Sequence, residues 1–366
     1  MRIGVPKEIM VDEYRVSLLP VGAQLLVDDG HEVWVQTLAG TGSGYLDEEY
    51  QKAGARIVDS AETIHQECEL LLKVKEPQMS EIGHYANSLM VFGYFHLAVS
   101  RPLVEICLEK NISALACETL GDPRGERPLL KPMSEVAGKM SIQEGAKCLE
   151  RPMMGRGILL GGVAGVAPAN VLVLGAGVVG ANAARVAAGL GANVTIMDID
   201  IGRLRHLDEV MPDNVTTIYC DPHAVHQYAV QADLIIGALL IPGARSPRLI
   251  NRAMLGEMKR GAVLVDVSID QGGCFETSRR TSHSDPVYVI DDIVHYCVPN
   301  MPGAVGRTST QAYCNATLPY IRKLAGLGLE GFLGYEAGVR EALNLHGGKI
   351  THAGVASAFP DLPSSA

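Results

Sequence analysis

Three ionisable side chains stand where predicted strands end, which is where open α/β sheets bind ligands. Lys75 follows the apolar run LLLKV, His96 follows LMVFGYF, and Asp270 follows AVLVDVSI. A lysine there could bind an anion or polarise a carbonyl, whereas a histidine and an aspartate could serve as general acid and base. The alternatives are an exposed strand-end charge, a hydrogen-bonded core histidine and an ordinary turn aspartate.

Two further residues are candidates for binding a ligand. Arg15 lies in KEIMVDEYRVSLLP, after the first predicted strand, where a buried arginine could hold a carboxylate through two parallel hydrogen bonds. The alternative for Arg15 is a surface salt bridge with Asp12 or Glu13. Asn300 lies in the proline-flanked turn PNMP, which could present amide and backbone groups into an interdomain cleft or be a simple linker.

The segment VLVLGAGVVGANAA places Gly175, Gly177 and Gly180 in the pattern G-x-G-x-x-G, between an apolar strand and an Ala-rich helix. This context predicts a dinucleotide turn whose pyrophosphate lies at the helix N-terminus, where free N–H groups favour anions. Asp198 ends the next strand, where an acid binds the adenosine ribose and repels a 2′-phosphate, so NAD is predicted rather than NADP. The alternative is a turn cap in the sequence Asp-Ile-Asp. Arg203 could lean over the adenine or ribose, or be a solvated helix charge.

The elements that must position these residues are short apolar strands alternating with helical segments, a pattern typical of parallel sheets with crossover helices. Two such series are predicted, with strands at 3–6, 33–36, 70–74, 89–92 and 112–116, and then at 171–174, 194–197, 216–219, 234–236, 263–267 and 287–289. Between the series, the proline- and glycine-rich segment 121–133 indicates a boundary loop. Ser134 is predicted to cap the helix that follows.

Composition excludes several function classes. The net charge is −10 and no Lys/Arg cluster is present, which argues against a nucleic-acid partner. The eight cysteines show no C-x-x-C spacing and the histidines no H-E-x-x-H, so no metal site is predicted, and reduced thiols in a cytosolic protein are expected. The N-terminus MRIGVPKEIM lacks the apolar region of a signal peptide, which favours a cytoplasmic protein.

One uncharged stretch, 157–184, is long enough to span a bilayer. It also contains Pro168, two asparagines and many glycines. A loop, a buried strand and a glycine turn therefore explain it better than a membrane helix, and no membrane partner is predicted.

Several segments together resemble the bacterial-type alanine dehydrogenases at matching spacing: MRIGVPKE, GTGSGY, LLLKVKEP, HLA, PMSEVAG, VLGAGVVG, VDVSIDQGG and HYCVPNMPGAVGRTST. The resemblance covers nearly the whole chain, and the wider family includes the NAD-binding subunit of proton-translocating transhydrogenase. It implies an α/β fold of two doubly wound domains. A Rossmann NAD-binding domain, 129–305, would be inserted in a discontinuous α/β substrate domain, 1–128 plus 306–366.

The same resemblance implies an L-alanine dehydrogenase, a homo-hexamer that uses NAD to convert L-alanine reversibly to pyruvate and ammonium. In it, Arg15, Lys75 and Asn300 would bind the substrate. His96 and Asp270 would be the acid/base pair. Beyond the three glycines, the residues implied to line NAD are Ser134, Val178, Val179, Asp198, Arg203, Cys220, Leu239, Val267, Ser268, Val298 and Met301.

Two alternatives remain open at this point. One is a transhydrogenase-type NAD module that works on a membrane partner, and the other is a non-catalytic NAD sensor. Both would keep the glycine turn and Asp198. Lys75 with His96 argues against the transhydrogenase-type module. An NAD sensor would not need Arg15, Lys75, His96 and Asp270, so an amino-acid dehydrogenase is favoured.

Overall fold

The computed structural model describes residues 1–239 and 246–366, and the chain splits into two units. The first unit comprises Met1–Met133 and Gly303–Ala366, and the second comprises Ser134–Pro302. Sequence reasoning placed the divisions near 128 and 305. Its assignment of one unit to substrate and the other to NAD stays a prediction.

Strands and helices alternate through the first part of the chain, as expected. The elements are β1 (Arg2–Val5), α1 (Pro20–Asp28), β2 (Glu32–Gln36), α2 (Asp47–Lys52), β3 (Arg56–Val58), α3 (Ala61–Glu67), β4 (Leu70–Leu72), α4 (Met79–Ile82), β5 (Met90–Gly93), α5 (Arg101–Glu109), β6 (Ser113–Ala116) and α6 (Lys131–Cys148). Helix α6 contains the division between the two units. Because α6 begins at Lys131, Ser134 lies within its first turn, and the prediction that Ser134 caps this helix is wrong.

The second alternating series and the C-terminal return follow. The elements are β7 (Asn170–Leu174), α7 (Val178–Gly189), β8 (Asn193–Asp198), α8 (Ile201–Val210), β9 (Val215–Tyr219), α9 (Pro222–Ala229), β10 (Leu234–Gly237), α10 (Arg252–Leu255), β11 (Val263–Asp266), β12 (Val287–Ile290), β13 (Ile293–Tyr296), α11 (Gly306–Leu333), β14 (Leu343–His346), β15 (Lys349–Ile350) and α12 (Ala353–Ala358). The stretch 157–184 is a loop, β7, a turn and the start of α7, as predicted.

Each unit is built on one sheet that is parallel except at an edge. The first has the strand order β15–β14–β6–β5–β4–β1–β2–β3, and the second has β12–β13–β11–β10–β7–β8–β9. Strands β14 and β15 pair antiparallel in the first sheet, and β12 pairs antiparallel with β13 in the second. Parallel strands share one carboxyl edge, so the residues that follow β6, β5, β4 and β1 are neighbours, as are those that follow β11, β10, β7 and β8.

Buried aliphatic side chains fill both sheets, because a parallel sheet covered on both faces needs apolar residues on each. All eight cysteines are unbridged, and all except Cys220 are buried. Within residues 1–239 and 246–366, no helix is long and apolar enough to cross a membrane. Within that same part of the chain, no group of His, Cys, Asp and Glu side chains is arranged to hold a metal ion.

Candidate active site

The carboxyl edge of the first sheet gathers charged residues from four adjacent strands. Glu8 follows β1, Lys75 follows β4, His96 follows β5 and Glu118 follows β6. Two of these, Lys75 and His96, are the residues that sequence reasoning selected. The sheet order therefore brings Lys75 and His96 to neighbouring strand ends.

Glu8 holds the backbone that presents Lys75. Its Oε1 accepts the N–H of Val74 at 2.6 Å and lies 3.4 Å from the N–H of Lys75. The Lys75 side chain is largely covered, and its Nζ lies 3.3 Å from Oε2 of Glu76. A buried carboxylate that accepts backbone N–H groups in this way fixes the strand end, and with it the direction of Lys75.

Lys73, two residues before Lys75, is a structural cation. Its side chain is 0% exposed, and its Nζ lies 3.1 Å from Glu8 and 2.9 Å from Glu81. Tyr85 donates its hydroxyl proton to Glu81 at 3.2 Å. Burial acts to lower the pKa of Lys73, but attraction to Glu8 and Glu81 outweighs burial and raises that pKa, so the ammonium stays charged.

Arg15 is buried, and its partner is Glu13. The Nε of Arg15 donates to Glu13 Oε1 at 2.6 Å, and Nη1 lies 3.2 Å from the sulfur of Met133. Burial acts to lower the Arg15 pKa, whereas its hydrogen bonds with Glu13 raise it overall. The predicted salt bridge between Arg15 and Glu13 is present. Its predicted location at the surface is wrong, because only 3% of Arg15 is exposed. Glu13 thus fixes the plane of a guanidinium inside the unit.

His96 is exposed and has an unusual backbone conformation. Its φ of 50° and ψ of 39° lie in the left-handed region, which non-glycine residues rarely adopt and which is frequent at functional sites. Its ring lies parallel to that of Tyr94, with centroids 6.2 Å apart. Tyr94 in turn donates to the carbonyl of Leu129 at 2.6 Å. His96 is therefore not a buried core histidine.

In the second unit, each glycine of the predicted dinucleotide turn meets a different steric demand. Gly175 has a φ of 105°, and a Cβ there would lie 2.6 Å from the Ala238 carbonyl oxygen. A Cβ on Gly180 would collide with the backbone of Gly175, because α7 packs closely on the turn. A Cβ on Gly177 would meet nothing within 4 Å, so this backbone faces open space. Gly177 is also the N-cap of the 12-residue helix α7, and no side chain caps that terminus.

Asp198 lies beside this turn at the end of β8. Its Oδ2 accepts the N–H of Ala176 at 2.7 Å, and its Oδ1 accepts the N–H of Asp200 at 2.9 Å. Arg203 is near, with Nη1 3.9 Å from Asp198 Oδ2, and Cys220 donates its N–H to the Asp198 carbonyl oxygen at 2.9 Å. A carboxylate has about four acceptor positions. Asp198 can therefore hold the turn and still accept ribose hydroxyls.

The ends of β10 and β11 lie next to the turn. Ser268 donates its hydroxyl proton to the Leu239 carbonyl oxygen at 2.6 Å, so two of the predicted NAD-lining residues touch. Val267 and Ser268 belong to a short 3-10 helix, Val267–Gln271, that also carries Asp270. The carboxylate of Asp270 is exposed and lies 3.3 Å from Arg280.

Asp266 anchors the loop that presents Asp270. It accepts hydrogen bonds from the N–H of Ser268 at 3.0 Å, from the N–H of Cys274 at 2.9 Å and from the Ser278 hydroxyl. Burial raises the pKa of Asp266, and these hydrogen bonds oppose the increase. Asp266 therefore fixes the backbone that leads to and from Asp270.

The remaining predicted residues of this unit fall in two places. Val298 and Met301 are buried just beyond β13, and Asn300 between them has a φ of 55°, again left-handed. Ser134 lies on α6, one turn before Gly138, where a Cβ would collide with the carbonyl oxygen of Val179. Helix α6 therefore passes against the first turn of α7.

These observations fit a bound dinucleotide. An open glycine backbone, an uncapped helix N-terminus and a strand-end carboxylate occur together around α7, which is the donor and acceptor set that pyrophosphate and ribose need. Sequence reasoning missed two carboxylates that brace the site, Glu8 and Glu118. Glu8 and Glu118 follow strands, so the criterion that selected Lys75 also applied to them.

The buried charges of Lys73 and Glu81 act on a histidine, His65, whose titration affects stability. His65 is 2% exposed, and neither ring nitrogen has a hydrogen-bond partner in the described part of the chain. Burial lowers its pKa from 6.5 to about 4; Lys73 and His84 act in the same direction and Glu81 opposes them. The unfolded chain therefore binds more protons than the folded chain as pH falls from 6.5 to about 4, and stability declines over that window.

We expect this histidine to cost up to about 1.4 kcal/mol of unfolding free energy per pH unit within the window. Denaturant titrations at pH 7, 6 and 5 should show a shallower decline for His65→Phe than for the original chain. Equal slopes for the two proteins would mean that His65 does not titrate as described.

Family models match both parts of the chain. Residues 4–137 match the model "Alanine dehydrogenase/PNT, N-terminal domain", and residues 141–353 match "Alanine dehydrogenase/PNT, C-terminal domain". A protein of Halomonas elongata named "Alanine dehydrogenase" is 51% identical over 359 residues, which are 98% of this chain and 97% of the relative. A protein of the same name from Mycolicibacterium smegmatis is 47% identical, covering 99% of this chain and 98% of its own.

Solved structures agree with these relatives. A structure titled "L-alanine dehydrogenase" superimposes with a TM-score of 0.95 at 45% identity and covers 99% of both chains. A transhydrogenase structure from Sinorhizobium meliloti superimposes with a TM-score of 0.82 at 24% identity, covering 95% of this chain and 99% of that one. At that identity, the second likeness shows a shared fold alone.

Proposed function

Because this chain belongs to the alanine dehydrogenase/PNT family, we propose that it is an NAD-dependent L-alanine dehydrogenase. The reaction converts L-alanine, NAD⁺ and water into pyruvate, ammonium, NADH and a proton, and it is reversible. The proposal rests above all on identity near 50% over almost the full length of relatives with that name. The charged residues at the edge of the first sheet supply groups that such a reaction needs.

Arg15 and Lys75 suit the two oxygen-bearing ends of the substrate. In the proposal, Arg15, with its plane fixed by Glu13, binds the carboxylate of alanine or pyruvate and thereby orients Cα. Lys75 stabilises the negative charge that develops on the carbinolamine or carbonyl oxygen. Asn300 donates from its amide to help hold the substrate.

His96 and Asp270 are the proposed acid/base pair. The ammonium group of alanine must first lose a proton. After the hydride leaves Cα, the substrate is an iminium, and water must add to it with loss of a second proton. His96 suits that proton transfer because histidine titrates near neutral pH and this ring is accessible to a ligand. The carbinolamine nitrogen must then gain a proton before ammonia leaves, for which either residue has the right chemistry.

NAD⁺, when bound, accepts the hydride from Cα. The chain's own part is to hold it. The N-terminus of α7 would bind the pyrophosphate and Asp198 the adenosine ribose, with Arg203 and Cys220 beside it. The ends of β10, β11 and β13, which carry Leu239, Ser268 and Met301, would line the rest.

The test is alanine-dependent reduction of NAD⁺ by the purified chain, followed by NADH absorbance, with glycine, L-serine and D-alanine as control substrates. The proposal predicts NADH formation that requires L-alanine and reverses with pyruvate and ammonium. NADH binding without turnover would favour an NAD sensor. Hydride exchange between two nucleotides without any need for alanine would favour a transhydrogenase-type module.

Asp198 offers a test of nucleotide choice. Asp198→Asn keeps an acceptor for the Ala176 N–H and removes the charge that repels a 2′-phosphate. We expect the ratio of kcat/KM for NADP⁺ to that for NAD⁺ to rise about tenfold or more, which corresponds to roughly 1.4 kcal/mol. Asp200→Asn, two residues away, is the matched control and should leave the ratio unchanged. An unchanged ratio in Asp198→Asn would refute the ribose role.

We also propose a cytoplasmic homo-hexamer, as the resemblance implies. Three apolar side chains of the second unit support self-association, because Leu159, Val163 and Val166 are between 59% and 68% exposed. Light scattering on the eluting protein should give six times the 39.0 kDa mass of one chain. A monomer mass at micromolar concentration would contradict the assembly.

A further inference from the structure

His96 has a backbone conformation that its neighbours must hold in place. A non-glycine residue in the left-handed region is strained relative to ordinary conformations. His96 lies on the exposed turn between β5 and a short 3-10 helix, Leu97–Val99, and its ring lies beside Tyr94 with centroids 6.2 Å apart, so side-chain packing alone does not hold this backbone in place. The contacts of its backbone therefore decide where the imidazole points.

The contact that fixes this backbone comes from the neighbouring strand. Glu118, two residues beyond β6, accepts the N–H of His96 on Oε1 at 2.7 Å. It accepts the N–H of Phe95 with Oε1 and Oε2 at 3.2 and 3.3 Å. An ionised carboxylate is about twice as strong an acceptor as a neutral one. One side chain thus fixes two successive peptide groups of the turn.

From this geometry we propose that Glu118 is a positioning residue of the reaction: it holds the His96 backbone left-handed so that the imidazole faces the substrate. This inference rests on the proposed function of His96. Glu118 acts through the backbone of His96, and its removal should affect the chemical step rather than nucleotide binding. A displacement of about 1 Å in a catalytic group can cost about 100-fold in rate.

The same unit contains a matched control. Leu38 is also left-handed, with a φ of 62°, and its N–H donates to Asp47 Oδ1 at 2.9 Å. Asp47 also accepts the Thr37 hydroxyl at 2.6 Å. Asp47→Ala therefore removes an equivalent carboxylate-to-backbone contact at a residue with no role in the proposed chemistry.

The experiment compares Glu118→Ala, Glu118→Gln and Asp47→Ala in the full chain. For each protein we would measure kcat and KM for alanine, the Kd of NADH and the melting temperature. We expect Glu118→Ala to lower kcat about 10- to 100-fold with unchanged NADH affinity. Glu118→Gln, whose amide oxygen can still accept the N–H, should recover most of that loss. Asp47→Ala should lower the melting temperature by a similar amount but keep kcat.

Provided that the original chain is active, three outcomes would overturn the inference. Glu118→Ala could have the same kcat as Asp47→Ala, or it could lose NADH binding together with kcat. The third outcome is a kcat for Glu118→Gln as low as that for Glu118→Ala. If Glu118→Ala does not fold, the test relies on Glu118→Gln. The inference then requires that kcat of Glu118→Gln stays within a few-fold of that of the original chain, and a larger loss would overturn it. Absence of alanine-dependent turnover in the original chain would instead overturn the proposed function itself.

Discussion

Replacing His96 with Asn is expected to lower kcat for alanine oxidation by about 100- to 10,000-fold, the range in which general acid–base catalysis contributes. Asparagine can hydrogen-bond but cannot take up or release a proton near neutral pH. Lys75→Met should cause a loss of similar size, because it removes the cation proposed to stabilise the substrate oxygen. The Kd of NADH should stay within a few-fold, since the predicted nucleotide-binding groups lie in the other unit.

Matched controls are available in the same unit. His84 and Lys52 are exposed and have no proposed part in the chemistry, so His84→Asn and Lys52→Met should retain full turnover. Stopped-flow measurement of NADH formation, together with NADH titration, separates the two effects. If His96→Asn or Lys75→Met lost NADH affinity as much as turnover, these residues would belong to a different site from the one proposed.

Replacing Lys73 with Met is expected to destabilise the first unit by about 3–5 kcal/mol. Lys73 is the cation between Glu8 and Glu81, and its removal leaves two buried carboxylates that face each other without a counter-charge. Breaking a buried ion pair from one side costs far more than the net value of the pair, because a buried charge is left uncompensated. Thermal and denaturant unfolding measure the loss.

Two comparisons identify the cause of that loss. Lys52→Met removes an exposed charge and should change stability by no more than about 0.5 kcal/mol. Adding Glu8→Gln and Glu81→Gln to Lys73→Met neutralises the whole group and should recover part of the loss. If Lys73→Met were as stable as Lys52→Met, Lys73, Glu8 and Glu81 would not all be charged in the folded protein.

The sequence pattern predicted the strands that lie in apolar runs. All eleven predicted strands are present, because runs such as LLLKV and NVLVL bury both faces of a parallel sheet. Three of the four missed strands, β3, β14 and β15, lie at or next to an edge of the first sheet. Strand β3 has three residues, and β13 follows β12 through a two-residue hairpin in which Asp291 and Asp292 both have positive φ. Aspartates tolerate that conformation, but the pair Asp-Asp is a weaker hairpin signal than Asn-Gly.

The site was predictable where a residue both follows a strand and carries obvious chemistry. Lys75, His96 and the glycine turn meet that standard. The left-handed backbone of His96 and the burial of Lys73 and Arg15 depend on long-range packing, which no local pattern records. The carboxylates Glu8 and Glu118 also follow strands, but they contact backbone N–H groups, which every residue except proline has. The sequence therefore marks their position and not their partners.

The most direct test of the central claim is to follow the hydrogen that leaves Cα. The purified chain is incubated with L-[2-²H]alanine and NAD⁺ in ordinary water, and the NADH is analysed by mass spectrometry. Direct hydride transfer predicts one deuterium on the nicotinamide ring carbon of each NADH from labelled alanine, and none on that carbon when unlabelled alanine reacts in deuterium oxide. NADH that carries solvent hydrogen, or an absence of NADH, would contradict direct hydride transfer from alanine.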